Sequence, residues 1–435
     1  MRFNSLPEWL AWQEKLHFTE IDPGLTRIAA VWERLSTGKP LPFKVVTVAG
    51  TNGKGSSVAL MTAILRAAGY KTGSYTSPHL LRYNERMAVN GEPSTDAQIC
   101  QAFAQIDATR GEISLTYFEF ATLAAALIFI DQKVDVAILE VGMGGRLDAV
   151  NLFDADVAII TPIGLDHMHW LGDNREKIGA EKAGILRAGR PVVCSEVSPP
   201  QSVLDIANTL AAPTYIAGRD YLYHQTSDSW SWQQKDIEAF QQLPRPALNG
   251  EYQLQNSAAV IMAAQLLAQE GLVNINEAAV RKGLTTVRLS GRFQVLDGPI
   301  QRIFDVTHNQ QGAENLERLL LEAPCHGKTL AVIAMLRDKD SAAVFTALQT
   351  AIDHWYLGGL TGERGQTAKD LANGLTAAVT TAQFSQQDTV EQAYHLAMQQ
   401  AKAGDRVLIF GSFHTVEAVM RQIPELMSEG LAASA

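Results

Sequence analysis

Apolar residues along this chain take two recurring forms, short continuous runs and longer stretches with helical spacing. Val45-Val46-Thr47-Val48 is a run of the first kind; it passes through a glycine-rich turn into a helical stretch over 58–65. Continuous β-favouring runs bounded by glycine read as strands buried on both faces, as in parallel sheets. The same alternation predicts a strand at 71–76, helices at 95–106 and 117–130, strands at 134–141 and 157–161, and a helix at 175–186. Strand, helix and strand follow over 191–216, and the polar and tryptophan-bearing residues 221–240 predict a hairpin insertion. After a helical pair at 252–270 and 276–284, a second alternation begins. Its strands are expected at 301–306, 329–335, 355–357 and 406–410, and its helices at 311–321, 341–352, from 368, and at 390–403. The expected fold class is α/β: a parallel-sheet unit over 1–288, then a smaller α/β unit over 289–435 with a frayed tail at 431–435.

Composition narrows the function. A chain of 435 residues with 46% hydrophobic and 19% charged residues is that of an ordinary globular protein. The formal charge of −10 argues against nucleic-acid and anionic-membrane partners, which require a basic face. Cys100, Cys194 and Cys325 are too scattered for a zinc knuckle or a disulfide framework. The start shows no secretory leader, with Ser5-Leu6-Pro7-Glu8 reading as a capping box, and the most apolar run, 120–130, is too short to span a bilayer. A cytoplasmic protein is expected.

The turn after the first run carries the strongest chemistry. Gly50-Thr51-Asn52-Gly53-Lys54-Gly55-Ser56 between strand and helix is laid out as a phosphate-binding loop. Glycines free backbone N–H groups to face an anion, the helix N-terminus adds positive potential, and Lys54 can reach outer phosphates. The spelling departs from the common nucleotide loop, because Val48 replaces its first glycine and Gly55 separates Lys54 from Ser56. Ser77, Glu140 and His167 each follow a predicted parallel strand, so all three fall on the sheet edge where ligands bind. Singly each reads as a turn or core-edge residue; together with the loop they suggest a magnesium site, although His is an uncommon ligand for so hard an ion. Glu119, in the first turn of an apolar helix, is either a dipole-stabilising residue or a ligand contact. Periodicity makes Lys182 a solvated helix lysine. In the second unit, polar groups gather after strands at Asp305-Val306-Thr307-His308-Asn309 and Gly411-Ser412-Phe413-His414, which predicts a cleft between the units.

Several ordered motifs then define a likeness. Besides the phosphate loop they are Ser77-Pro78-His79, Thr116-Tyr117-Phe118-Glu119, Glu140-Val141-Gly142-Met143-Gly144-Gly145-Arg146-Leu147-Asp148, Leu165-Asp166-His167, Glu181-Lys182-Ala183-Gly184, Gly291-Arg292 and Asp305-x-x-His308-Asn309. In this order the chain resembles, nearly end to end, the folylpolyglutamate synthases of the Mur ligase superfamily, and most closely their bifunctional dihydrofolate synthase branch.

The resemblance implies a Mur ligase-type fold and an ATP-dependent ligase with two magnesium ions. It would add L-glutamate to 7,8-dihydropteroate and to reduced folates through an acyl phosphate, releasing ADP and phosphate. It places Gly53, Lys54, Gly55, Ser56, Asn256, Arg292 and Asp305 on ATP, and Ser77, Glu140 and His167 on metal. It places Glu20, Ile21, Asp22, Pro23, Thr116, Tyr117, Phe118, Glu119 and Asp148 on the pterin substrate. Lys54, Lys182 and His308 are the implied catalytic residues, with Lys182 carbamylated, although a structural His308 at a strand end fits equally. A monomer is the family expectation. Thr307 and Gln310 depart from the family pattern and bear on loop shape. The alternatives are a monofunctional polyglutamylase, another Mur-type amide ligase and a phosphate-loop switch protein.

Overall fold

Strand β1 (Lys44–Ala49) lies inside an eight-stranded sheet with helices on both faces. The computed structural model describes residues 2–19, 21–235 and 239–426, so Glu20 and the expected tail at 431–435 lie outside the described residues. The other strands of this sheet are β2 (Thr72–Tyr75), β3 (Met87–Val89), β4 (Glu92–Pro93), β5 (Val136–Glu140), β6 (Val157–Ile160), β7 (Val192–Cys194) and β8 (Thr214–Ile216). Their order is β4-β3-β2-β5-β1-β6-β7-β8. Pairing is parallel except where β3 meets β2 and β4, an antiparallel edge that the apolar pattern does not predict. Strands of three and two residues are too short to show a period.

Successive residues of β1 enter opposite cores, which is why it reads as a continuous apolar run. Val46 and Val48 face helices Lys54–Ala67, Tyr252–Gln269 and Glu277–Thr286. Val45 and Ala49 face the core containing helices Asp96–Arg110 and Tyr117–Asp131. The predicted hairpin insertion is a three-stranded antiparallel sheet, β9 (Tyr221–Gln225), β10 (Ser229–Gln234) and β11 (Ala239–Pro244). Trp232 docks it, donating from Nε1 to the Ala258 carbonyl at 3.1 Å.

Helices Lys54–Ala67 and Glu277–Thr286 approach through Gly283. A Cβ there would fall 2.5 Å from Ile64 Cγ1 and 2.7 Å from Ile64 Cα, and a backbone atom has no rotamer with which to yield. Alanine would gain about 1 kcal/mol of helix propensity and lose up to about 3 kcal/mol by overpacking. Gly283→Ala is therefore expected to destabilise the first unit by about 2 kcal/mol, read as a lower denaturation midpoint. An unchanged or raised midpoint would contradict this packing.

The second sheet has six strands: β12 (Gln294–Leu296), β13 (Gln301–Phe304), β14 (Thr329–Ile333), β15 (His354–Gly358), β16 (Phe384–Gln387) and β17 (Arg406–Phe410). The order is β12-β13-β17-β14-β15-β16, with only β12 antiparallel. Two of its strands escape sequence prediction: β16 reads Phe-Ser-Gln-Gln and β12 is three residues long, and both lie at sheet edges. Among the described residues, no helix is long and apolar enough to cross a membrane.

Candidate active site

Parallel pairing aligns the strand ends that matter. Val48 stands opposite both Glu140 on β5 and Ile159 on β6, so the loop after β1, Glu140 and the segment leading to His167 emerge on one edge. The second sheet presents Asp305 after β13, Lys339 after β14 and Ser412 after β17 to the same space. Between the two edges lies a cavity of about 780 Å³. Its walls include Gly53, Lys54, Gly55, Ser56, Ser77, Glu140, His167, Lys182, Asn256, Arg292, Asp305 and His308.

The phosphate loop is built by close packing. Gly53 has φ +92°, and a Cβ there would lie 2.6 Å from Asn256 Oδ1, so the helix Tyr252–Gln269 presses directly on the loop. Gln253 fastens the same helix to the loop, donating from Nε2 to Ser56 Oγ at 3.2 Å. Lys54 Nζ donates to the carbonyls of Gly50 and Thr51 at 3.2 and 3.3 Å. Lys182 Nζ donates to the Gly50 carbonyl at 2.8 Å.

Lys182 is thus buried under the loop, against the solvated reading that periodicity gives. Its helix, Arg175–Lys182, is polar, and burial comes from tight turns packed against it. A Cβ on Gly145 would meet the Lys182 carbonyl at 2.9 Å. Burial first, then the charge of Lys54, lowers the Lys182 ammonium to about 7.

Glu140 is also buried, and the Ser77 N–H donates to its Oε2 at 3.3 Å. Burial raises its carboxyl, opposed by the charge of Lys54. A buried carboxylate with so few donors is costly unless a cation joins it. His167, pushed down to about 4 chiefly by burial, stays neutral and keeps a ring lone pair available at neutral pH. A hydroxyl, a carboxylate and a neutral imidazole facing one cavity fit a divalent cation.

The residues expected on the pterin form a second group that does not line this cavity. Thr116 and Glu119 cap their helix reciprocally: Glu119 N–H donates to Thr116 Oγ1 at 3.2 Å and Thr116 N–H to Glu119 Oε2 at 2.7 Å. Glu119 Oε1 lies 3.3 Å from Arg27, which also donates to Asp22 Oδ2 at 2.5 Å. Tyr117 is half-buried, facing Tyr83 and the Arg86 guanidinium. Ile21 is half-buried and Pro23 exposed. Phe118 and Asp148 press on the turn that closes the cavity, since a Cβ on Gly142 would meet Phe118 Cζ at 2.8 Å and Asp148 Oδ2 at 3.2 Å. Burial lifts the Asp148 carboxyl to about 6, although backbone N–H groups of Met143 and Val150 donate to it.

Asp305 uses both oxygens on backbone groups, accepting from the Phe293 N–H ahead of β12 and from the Thr307 N–H of its own loop at 2.8 Å each. Arg292 lies over the Phe413 ring at 5.5 Å. His308 Nδ1 lies 2.8 Å from the Val306 carbonyl, which makes Nδ1 the protonated nitrogen, and its Nε2 lies 3.6 Å from Asp166.

Sequence reasoning missed three wall residues. Arg86 is buried, donates from Nε to His79 Nδ1 at 2.9 Å and has no ion-pair partner among the described residues. Asp166 meets Lys339 Nζ at 2.6 Å. Burial would raise the Asp166 carboxyl, but the His308 imidazole beside it and the Lys339 charge hold it well below the carboxylate range. The strand-end rule applied after β14 selects Lys339, but Arg337, Asp338 and Asp340 around it conceal the signal.

Comparison with known proteins agrees with this layout. Residues 48–264 match the Mur ligase middle domain family, and residues 291–413 match the Mur ligase glutamate ligase domain family. The chain is 44% identical to the dihydrofolate synthase/folylpolyglutamate synthase of Escherichia coli K12, over 98% of this chain and 97% of that one. The solved structure of E. coli FolC in complex with DHPP and ADP superposes with a TM-score of 0.90 at 43% identity, covering 97% of this chain and 98% of that one. A bifunctional folylpolyglutamate synthase/dihydrofolate synthase with Mn, AMPPNP and L-glutamate bound superposes with a TM-score of 0.87 at 43% identity, with the same coverage. With a folylpolyglutamate synthase-type relative matched end to end and both Mur ligase domains in order, the chain belongs to the dihydrofolate synthase/folylpolyglutamate synthase family of Mur ligases.

Proposed function

We propose that this chain is the ATP-dependent ligase that joins L-glutamate to 7,8-dihydropteroate, forming dihydrofolate, and to reduced folates, forming folylpolyglutamates. The observation that carries the reading is a single cavity with a phosphate loop on one wall and the glutamate-ligase unit on the other. The γ-phosphoryl group of ATP passes to the substrate carboxylate, giving an acyl phosphate and ADP; the amine of glutamate then takes the acyl carbon and phosphate leaves.

Magnesium, when bound, neutralises the phosphate oxygens, and Ser77, Glu140 and His167 are the residues assigned to hold it. Lys54 adds a fixed cation to the loop N–H groups of Gly53, Gly55 and Ser56, where charge develops on the transferring group. Arg292 and Asn256 are assigned to the nucleotide from opposite walls, and Asp305 keeps the Arg292 side of the cleft in shape. Arg86, a buried cation without a carboxylate partner among the described residues, is assigned to draw in the acceptor's carboxylate. His308 presents Nε2 to the cleft for the proton of the attacking amine.

Asp22, Thr116, Phe118, Glu119 and Asp148 are assigned to the pterin, reached through the Gly142 turn. What supports this is that Phe118 and Asp148 pack on the Gly142 turn and that Arg27 links Asp22 to Glu119 behind it. A monomeric, cytoplasmic protein completes the reading, and the charge of −10 supports the expectation of no nucleic-acid or anionic-membrane partner.

ADP release measured with each acceptor, with and without L-glutamate, tests it. Glutamate-dependent turnover is expected with both dihydropteroate and a reduced folate. Turnover with the folate alone would reduce the assignment to a polyglutamylase, and none with either would overturn it.

A further inference from the structure

Two polar contacts cross the cleft beside the phosphate loop, and neither belongs to the core of either unit. In the first, Asn52 Nδ2 donates to Asn309 Oδ1 at 3.1 Å and Asn309 Nδ2 donates back to Asn52 Oδ1 at 3.0 Å. Asn52 Nδ2 also reaches Gln311 Oε1 at 2.8 Å. This ties the loop to the first turn of helix Gln310–Glu322.

In the second, Lys339 Nζ donates to Asp166 Oδ1 at 2.6 Å, with side chains only 6% and 11% exposed. The same Asp166 oxygen accepts the backbone N–H of His167 at 2.8 Å. The other oxygen faces His308 Nε2 at 3.6 Å and Asn309 Nδ2 at 3.5 Å. One carboxylate of the first unit therefore gathers three side chains of the second, one position before His167.

Apart from Leu80, which packs into a core of the second unit, each unit has its own apolar cores, so losing these contacts need not unfold either. What they fix is the placement of one unit on the other. A nearly buried ion pair is suited to that, because separating it leaves an uncompensated charge in each wall. Groups that must meet in line across a cleft are sensitive to small displacements.

We propose that Lys339 is a positioning residue: through Asp166 it clasps the two units together and fixes the His167 backbone and the His308 ring relative to the phosphate loop. This rests on the ligase reading above for its effect on turnover, but not for its effect on closure.

The test uses the full-length wild type, Lys339→Met, Lys339→Arg, Asp166→Asn and the double variant Asp166→Asn/Lys339→Met. Lys339→Met and Asp166→Asn are each expected to lower kcat about 100-fold, with KM for ATP within about threefold of wild type. Lys339→Arg, which keeps the ion pair, should recover to within about tenfold of wild type. The double variant should be no worse than the poorer single one, since both remove one interaction.

Losses that multiply in the double variant would overturn the clasp. So would Lys339→Met with kcat preserved and a raised KM for glutamate or acceptor, which would make the lysine a substrate contact. Closure is read independently by small-angle X-ray scattering with saturating ADP and magnesium. Lys339→Met should show a larger radius of gyration at an unchanged thermal midpoint; an equal radius overturns the proposal even if wild type shows no ligase turnover.

Discussion

Lys54→Ala is expected to lower glutamate-dependent ADP release by about 10³-fold or more while leaving the fold intact, because it removes the one side-chain cation of the phosphate loop. Lys54 opens helix Lys54–Ala67, and its ammonium rests on the Gly50 and Thr51 carbonyls, at the rim of the cavity. Alanine is a good helix former and Lys54 Nζ bonds only backbone carbonyls, so the fold should hold, although buried Glu140 loses the charge that opposes its burial. Circular dichroism and thermal unfolding verify the fold, and coupled ADP release reads the loss. Turnover retained in a folded variant would show that the loop does not serve the transferring phosphate.

Lys182→Met is expected to cost about 100-fold in turnover, and the wild type incubated with 13C-bicarbonate should show a carbamate carbon resonance that the variant lacks. An ordinary lysine has only about one amine in a thousand neutral at pH 7.5, too few to hold carbon dioxide well. Burial and Lys54 bring Lys182 to about 7, so at that pH most of it is the neutral nucleophile. Its nitrogen adds to the carbon of carbon dioxide and releases one proton, leaving an anionic carbamate under the loop. That anion would also relieve the repulsion between two lysines sharing the Gly50 carbonyl.

Without carbon dioxide the sign of the pH effect follows from linkage. The folded value lies below the unfolded one, so from about pH 7 to about pH 10 the unfolded chain holds the extra proton and stability rises with pH. Lys182→Met should flatten that rise. Equal turnover in the variant, with no resonance in the wild type, would leave Lys182 a buried structural amine.

The contrast between these two lysines shows what is legible in a sequence. Lys54 announces itself through strand, glycine turn and helix, all within its own neighbourhood. Lys182 stands on a short polar helix, and the turn at Gly145 and the phosphate loop at Gly50, brought from elsewhere in the chain, bury it. The pterin group shows the same limit, because Thr116–Glu119 caps are local while the Asp22–Arg27–Glu119 chain is not.

From its sequence alone the protein is determined as a succession of buried parallel strands and helices, since both faces of such strands are covered and each reads as one apolar run. Ser77, Glu140 and His167 follow on a common edge because parallel strands end on the same side. The tertiary structure decided which charges meet. Lys339 and Asp166 are 173 residues apart and Asn52 and Asn309 are 257 apart, and nothing in either local sequence names the other. Local propensity acts over a few residues, whereas the partner of a charge is whatever the packing of distant cores sets beside it.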